Sequence, residues 1–205
     1  MPTEQCSCSL LWRDGQDGPI AIDVELTIEG IQKADGTLPT LTYDNIGSSF
    51  AIFEMNANTT FKNLNLIIKN ARSTGSLVVK NGATLTMDGV NITLAELTSY
   101  NAICVIRLYK EGTNAIIRNC KVTYTDAYWS SLPSAFIMFD YDFADRTVII
   151  ENTTIDASKA ASPVSIVGAD ENPNNNVTIK NSVLFTSQDA PIFLNLTEGK
   201  GQFKV

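Results

Sequence analysis

The chain has 205 residues, a formal net charge of −7 at neutral pH and no histidine. The acidic balance argues against a nucleic-acid partner, because phosphate binding needs clustered Lys and Arg. The lack of histidine excludes Ser-His and Cys-His nucleophilic catalysis and every His-based zinc site. The sequence also contains no run of about eighteen apolar residues, which predicts that no segment spans a membrane.

Residues 1–19 are predicted to be irregular, since Asp14-Gly15 and Asp17-Gly18 are turn signals. The apolar residues Leu10 to Trp12 are expected to cap the open end of the domain that follows. The start lacks a basic segment followed by an apolar one, so no secretory signal is visible. Residues 20–205 are expected to form one domain.

That domain repeats one short pattern, a strand followed by a one-residue corner and a second strand. The clearest copy is Val177 to Phe185, with its corner at Asn181. Six corners are predicted, at Gly30, Asn63, Gly89, Asn119, Asn152 and Asn181. Gly and Asn enter the left-handed backbone region at little cost, whereas other residues lose roughly 1–2 kcal/mol there. The corners recur at intervals of about 26 to 33 residues, which is typical of a solenoid.

A third strand is predicted in each interval between corners. The candidates are Ala51–Met55, Ser76–Lys80, Ile103–Leu108, Phe136–Phe139, Val164–Val167 and Ile192–Leu196. Three short strands per period with an Asn or Gly corner predict an all-β, right-handed parallel β-helix of about six rungs. Ordinary hairpin turns, which also use Asn and Gly, would not keep a period near thirty residues.

On these strands and corners, roughly residues 20 to 205 resemble the pectin-lyase-like superfamily. The resemblance rests on the corner pattern and the strand rhythm, so it is specific for fold and weak for activity. It implies a ladder of corner asparagines in which each side-chain amide bonds to the next. In this chain the ladder would run through Asn119, Asn152 and Asn181, and Gly89 would interrupt it before Asn63.

The end of the chain, Phe203 to Val205, matches the strand that precedes a corner. We therefore expect further rungs, another domain, or a partner chain stacked end to end. Together with the missing signal, this predicts a module of a larger extracellular or cell-surface protein.

The resemblance also implies a substrate groove along the first strand of each rung. Alternation along that strand places Ile106 and Leu108 inward, and Val105 and Arg107 outward. Lyases of the superfamily use an Arg or Lys base, which here implies Arg107 or Lys110. The hydrolases of the superfamily carry Gly-His-Gly and Arg-x-Lys motifs, which this chain lacks.

Such lyases often bind calcium, so the resemblance makes calcium a possible cofactor. The candidate ligands lie in predicted loops on one side, at Glu111, Asp140, Asp142, Asp145, Asp170 and Glu171. Calcium takes several oxygen ligands from flexible loops. The alternative is that these carboxylates are solvated loop residues of an acidic protein, with no cofactor.

Aromatic residues border the proposed groove, at Tyr100, Tyr109, Tyr128, Trp129, Tyr141 and Phe143. Exposed rings can stack on sugars, or they can pack on one another and shield the solenoid wall. Two functions remain open at this point. One is a non-catalytic module, adhesin-like or a scaffold, that binds glycan or protein along one face. The other is a calcium-assisted lyase acting on acidic polysaccharide.

Overall fold

The computed structural model describes most of the chain between Gly18 and Asn195. The described residues are 18–44, 51–71, 75–96, 104–126, 135–139, 143–159, 162–167, 175–186 and 192–195. All regular structure in these ranges is β-strand. None of these residues belongs to a helix long and apolar enough to cross a membrane. The predicted cap at Leu10 to Trp12 lies outside the described residues.

The strands form three parallel sheets, and each successive strand of a sheet comes from the next coil of the chain. Sheet 1 contains β1 Ile20–Ile22, β4 Phe53–Met55, β7 Leu77–Val79, β10 Cys104–Leu108, β13 Ala135–Phe139, β16 Ser162–Val167 and β19 Ile192–Asn195. Sheet 2 contains β2 Leu26–Glu29, β5 Thr59–Lys62, β8 Thr84–Asp88, β11 Asn114–Arg118, β14 Thr147–Glu151 and β17 Asn176–Lys180. Sheet 3 contains β3 Thr40–Asp44, β6 Asn65–Lys69, β9 Asn91–Ala95, β12 Lys121–Tyr124, β15 Thr154–Ala157 and β18 Val183–Thr186. This arrangement confirms the predicted parallel β-helix.

Alternating apolar residues build the core, because successive side chains of a strand point to opposite faces of its sheet. In β8, for example, Leu85 and Met87 are fully buried, and Thr84 and Thr86, which alternate with them, are half exposed. The parallel register stacks equivalent residues, so Leu85 lies between Thr59 and Ala115 in neighbouring strands. The sequence period thereby becomes a continuous column of buried side chains along the solenoid.

The corners between sheets 2 and 3 have left-handed backbone at five of the six predicted positions. These are Asn63, Gly89, Asn119, Asn152 and Asn181, with φ from 49° to 67°. Gly30 departs from the prediction, because it is not among the residues with positive φ. A Cβ at Gly30 would collide with the carbonyl oxygen of Asn63 and lie 2.6 Å from Cγ of Pro39. Close backbone approach therefore explains this glycine.

The asparagine ladder is shorter than predicted and includes carboxylates. Nδ2 of Asn152 donates to Oδ1 of Asn119 over 3.4 Å, and Nδ2 of Asn119 donates to Oδ1 of Asp88 over 2.8 Å. Asn63 donates to Glu29 over 3.3 Å. Among the described corner residues, the bond between Asn152 and Asn119 is the one amide-to-amide step. The carboxylate before the corner thus takes the place that a further asparagine would have filled.

Replacing Asn152 separates the two roles of a corner asparagine. Asn152→Gly loses one hydrogen bond and keeps an unstrained corner, so we expect a loss of about 1 kcal/mol in unfolding free energy. Asn152→Ala adds left-handed strain and should cost about 2–3 kcal/mol in total. Chemical denaturation of both variants measures the difference. Equal stability of the two would contradict the left-handed corner.

Candidate functional site

The outer face of sheet 1 presents a column of side chains in register. Arg107 lies between Val78 of β7 and Met138 of β13, and Glu54 of β4 follows Val78. Arg107 is half-buried at this position. Gly75 lies beside it, and a Cβ added there would be 2.8 Å from Cβ of Arg107. Gly75 also has φ of 86°, so both its backbone and its missing side chain suit this place.

The predicted groove is not open along the whole face. Val105 was predicted to point outward to solvent, but it is fully buried and belongs to the core cluster. Phe136 of β13, the neighbouring strand, is also fully buried. The first half of both strands is therefore covered on both faces, as is usual for strands of parallel sheets. The accessible part of this face begins at Arg107 and continues into the turn after β10.

Three cations surround the ring of Tyr109 at that turn. The distance from the ring centroid is 5.2 Å to Cζ of Arg107, 5.3 Å to Nζ of Lys110 and 5.6 Å to Nζ of Lys80. All three fall within the distance of about 6 Å at which a ring attracts a cation. We call these four residues, together with Phe143, the cation–aromatic cluster.

Phe143 completes the cluster from the next coil. Its ring meets that of Tyr109 edge to face, with centroids 5.8 Å apart and an interplanar angle of 70°. Nζ of Lys110 lies 5.2 Å from the centroid of Phe143, so this lysine contacts both rings. The cluster therefore combines positive charge with two half-buried rings, which is a surface able to contact both anionic and apolar parts of a ligand.

Lys110 is held in an unusual backbone conformation. Its φ is 99°, and its carbonyl accepts a hydrogen bond of 2.8 Å from Oγ1 of Thr113. Thr113 is fully buried, so it fixes the turn from inside. Sparsely populated backbone conformations cost of order 1–3 kcal/mol and cluster at functional sites. The turn keeps the exposed Lys110 side chain beside the two rings.

Glu54 supplies a negative charge to the cluster. Its carboxylate lies 2.8 Å from Nζ of Lys80, and both side chains are about three-quarters buried. The pair neutralises one of the three cations.

Several predicted site residues lie outside the described residues. These are Tyr100, Tyr128, Trp129, Tyr141, Asp140, Asp142, Asp170 and Glu171. Of the predicted metal ligands in the described ranges, Glu111 is exposed, and Asp145 is exposed at a left-handed φ of 57°. No group of three potential metal ligands occurs among the described residues. Calcium binding therefore stays a prediction.

The buried thiols and phenol do not offer a reactive group. Cys104 and Cys120 are free and buried, and burial raises the pKa of Cys120 to about 11. At neutral pH this thiol is protonated and unreactive. Burial also raises the pKa of Tyr124, whose ring lies in the core. Neither Cys120 nor Tyr124 is therefore a candidate for catalysis.

The sequence pointed to Arg107, Tyr109, Lys110 and Phe143, and the structure brings them together. Lys80 was missed, although it follows the strand one coil earlier, at the position that the register aligns with Tyr109. The backbone N–H of Tyr109 donates to the carbonyl of Val79, and that of Lys80 donates to the carbonyl of Met55. Aligning the first strands of successive rungs would have found Lys80.

Comparison with known protein families, curated proteins and solved structures gives no match to this chain.

Proposed function

We propose that this protein is a non-catalytic binding module whose cation–aromatic cluster holds an acidic polysaccharide. The observation that supports this is the placement of Lys80, Arg107 and Lys110 around one tyrosine ring. Arg107 and Lys110 each bring a positive charge to within 6 Å of the Tyr109 centroid, so an acidic ligand that contacts this ring would lie beside both.

The two parts of the cluster suit the two parts of a uronate residue. Arg107 would bind a carboxylate through its planar guanidinium, and Lys110 would approach the same charge as a mobile ammonium. The faces of Tyr109 and Phe143 that remain accessible would contact the apolar C–H side of the sugar ring. A neutral glycan would make the second set of contacts and lose the first.

This proposal agrees with the resemblance to the pectin-lyase-like superfamily. The protein would be an adhesin-like or scaffold member that acts outside the cell or on its surface. The support for that wider proposal is the parallel β-helix together with a binding cluster on the sheet that the resemblance singles out. Protein ligands with acidic side chains would satisfy the same cations, but they would not need two accessible rings.

A calcium-assisted lyase is the second candidate. It is favoured by the position of Arg107 and Lys110 beside the same ring, because either of them, in its neutral form, would take the proton from the carbon next to the uronate carboxylate. The electron pair of that C–H bond would form a C=C bond while the glycosidic oxygen leaves. The calcium ligands that the resemblance implies, Asp140, Asp142 and Asp170 with Glu111, would hold the carboxylate.

Binding is tested by titrating the protein with oligogalacturonate in a calorimeter. Lys110→Gln removes one exposed charge and leaves the backbone strain unchanged, so the fold should be unaffected. We expect the dissociation constant to rise about fivefold, because an exposed ion pair is worth up to about 1 kcal/mol. Lys121→Gln, an exposed lysine on β12 of sheet 3, is the matched control and should bind as the wild type does. Equal effects of the two substitutions would contradict the proposed site.

Absorbance of the unsaturated product distinguishes the two candidates. Incubation with acidic polysaccharide and calcium should give no rise in absorbance for a binding module. A calcium-dependent rise that both Arg107→Ala and Asp140→Ala abolish would establish the lyase instead.

A further inference from the structure

The three strands of the first coil each have one edge that pairs with no strand in the described part of the chain. β1, β2 and β3 pair with β4, β5 and β6 on one side, and with no described strand on the other. A strand edge of this kind is a ready template for an added strand. Two large apolar side chains next to these edges are exposed, Val24 to 71% and Ile31 to 87%.

The core columns are incompletely covered at this end. Leu26 occupies the column of Thr59 and Leu85, and it is 37% exposed although those two residues are fully buried. Ile28, Leu41 and Tyr43 are likewise only partly buried. An additional strand with apolar residues in these columns would complete the burial that every inner coil has.

The end is also strongly acidic. Residues 18–44 contain five acidic residues and one basic residue, Lys33, which gives a net charge of −4. The acidic residues are Asp23, Glu25, Glu29, Asp35 and Asp44. A partner that carries positive charge would therefore be attracted to this end.

One column of charged side chains on sheet 2 indicates where the positive charge of the partner would lie. Its residues alternate in sign along the solenoid, in the order Glu29, Lys62, Asp88, Arg118, Glu151 and Lys180. Three pairs form ion pairs, with Lys62 to Glu29 at 3.2 Å, Arg118 to Asp88 at 3.0 Å and Lys180 to Glu151 at 3.3 Å. The column begins with an acid at the open edge, so continuing the alternation requires a cation beside Glu29.

Two other occupants suit this end less well. Residues 1–17, which include the predicted cap at Leu10 to Trp12, contain three acidic residues and one basic residue, so they do not match the acidic end in charge. A second copy stacked head to tail, with its β2 on β17 and its β3 on β18, would place its β1 against β16. That edge of β16 is already taken by β19.

From the open edges, the partly covered columns and the charge, we infer that the first coil binds an extended basic segment of a partner protein. The segment adds to β2 as a parallel strand. It carries two apolar residues in alternate positions, facing Leu26 and Ile28, and a Lys or Arg directly after the second, beside Glu29. The main-chain hydrogen bonds supply affinity and the side-chain pattern supplies specificity.

The probe is an acetylated and amidated peptide with the sequence of residues 175–181, which has this pattern in Val177, Ile179 and Lys180. Fluorescence anisotropy with the labelled peptide should show saturable binding to the full chain. The same peptide with Lys180→Glu should bind about three- to tenfold more weakly, since a cross-strand attraction becomes a repulsion. The protein variant Glu29→Lys should reverse the preference between the two peptides. Because both peptides are compared on one variant, a general loss of stability cannot produce the reversal.

Hydrogen exchange shows where on the protein the peptide binds. The amides of β2 that face the open end should exchange more slowly once the lysine peptide is bound. Equal binding of the two peptides, or no reversal in Glu29→Lys, would overturn the inference. Protection of the β2 amides in the absence of the peptide would also overturn the inference. In that case, protection that rises with protein concentration would identify a second copy, and constant protection would identify the chain's own residues.

Discussion

Replacing the buried Arg146 with methionine is expected to lower the free energy of unfolding by about 3–5 kcal/mol. Arg146 is fully buried; its Nε donates to Oδ1 of Asn175 over 3.2 Å, and its Nη1 donates to the carbonyl of Leu108 over 3.1 Å. Its Cζ also lies 5.2 Å from the centroid of Phe139. Each hydrogen bond from a charged group contributes about 1.5–3 kcal/mol. Methionine fills similar space and makes neither bond.

The matched control for this prediction is Arg118→Met on the outer face of sheet 2. Arg118 is half-exposed and pairs with Asp88 over 3.0 Å. Exposed ion pairs of this kind are worth about 1 kcal/mol or less. Urea denaturation of both variants compares the two arginines. A similar loss for both would show that Arg146 does not hold successive coils together in the way that its contacts indicate.

Gly30→Ala is expected to destabilise the fold by about 3 kcal/mol, the upper part of the usual cost of overpacking. The φ of Gly30 is not positive, so alanine meets no left-handed strain there. On backbone grounds alone, alanine would stabilise the chain by about 0.4–1 kcal/mol. The added Cβ, however, would collide with the backbone oxygen of Asn63 and with Pro39. The first two coils would have to separate at this corner to admit it.

Gly82→Ala provides the comparison. Gly82 has φ of 71°, and a Cβ added there meets nothing within 4 Å. Its substitution therefore costs the left-handed strain alone, about 1–2 kcal/mol. Thermal unfolding that ranks Gly82→Ala below Gly30→Ala in stability would contradict the close approach at Gly30.

The parallel β-helix could be predicted from the sequence because each coil repeats the same local requirements. A residue with left-handed φ recurs at Asn63, Asn119, Asn152 and Asn181, and apolar residues alternate on either side of it. These signals are local, so they can be recognised in the sequence without knowledge of the neighbouring coil. Gly30 also occupies a corner, but it is a glycine for a different reason. A side chain there would collide with Pro39 and with Asn63 of the next coil, and no local sequence pattern shows this close approach.

Burial explains the other differences. Alternation alone placed Val105 outside, yet it is fully buried. Arginine is usually exposed, yet Arg146 lies inside the solenoid. Its hydrogen bonds join it to Leu108 in one coil and to Asn175 in another. The hydrogen bonds of Arg146 span 38 and 29 residues of sequence. Such contacts are set by register and not by the residue's own segment.

The residues at the centre of the site could be predicted from the sequence, but those contributed by the preceding coil could not. Arg107, Tyr109 and Lys110 are neighbours in sequence, so their proximity follows from one strand and its turn. Lys80 and Gly75 belong to the preceding coil and reach the cluster through the alignment of β7 with β10. The contributions of this preceding coil become visible only when the register is known.

The most direct test of the proposed function compares one oligogalacturonate with its fully methyl-esterified form by calorimetry. The two ligands share the same sugar rings and differ in charge, so the comparison isolates the role of Lys80, Arg107 and Lys110. The account predicts saturable binding of the acid form, weakened by added salt, and loss of binding on esterification. Equal affinity for the two forms, or binding of neither, would contradict it.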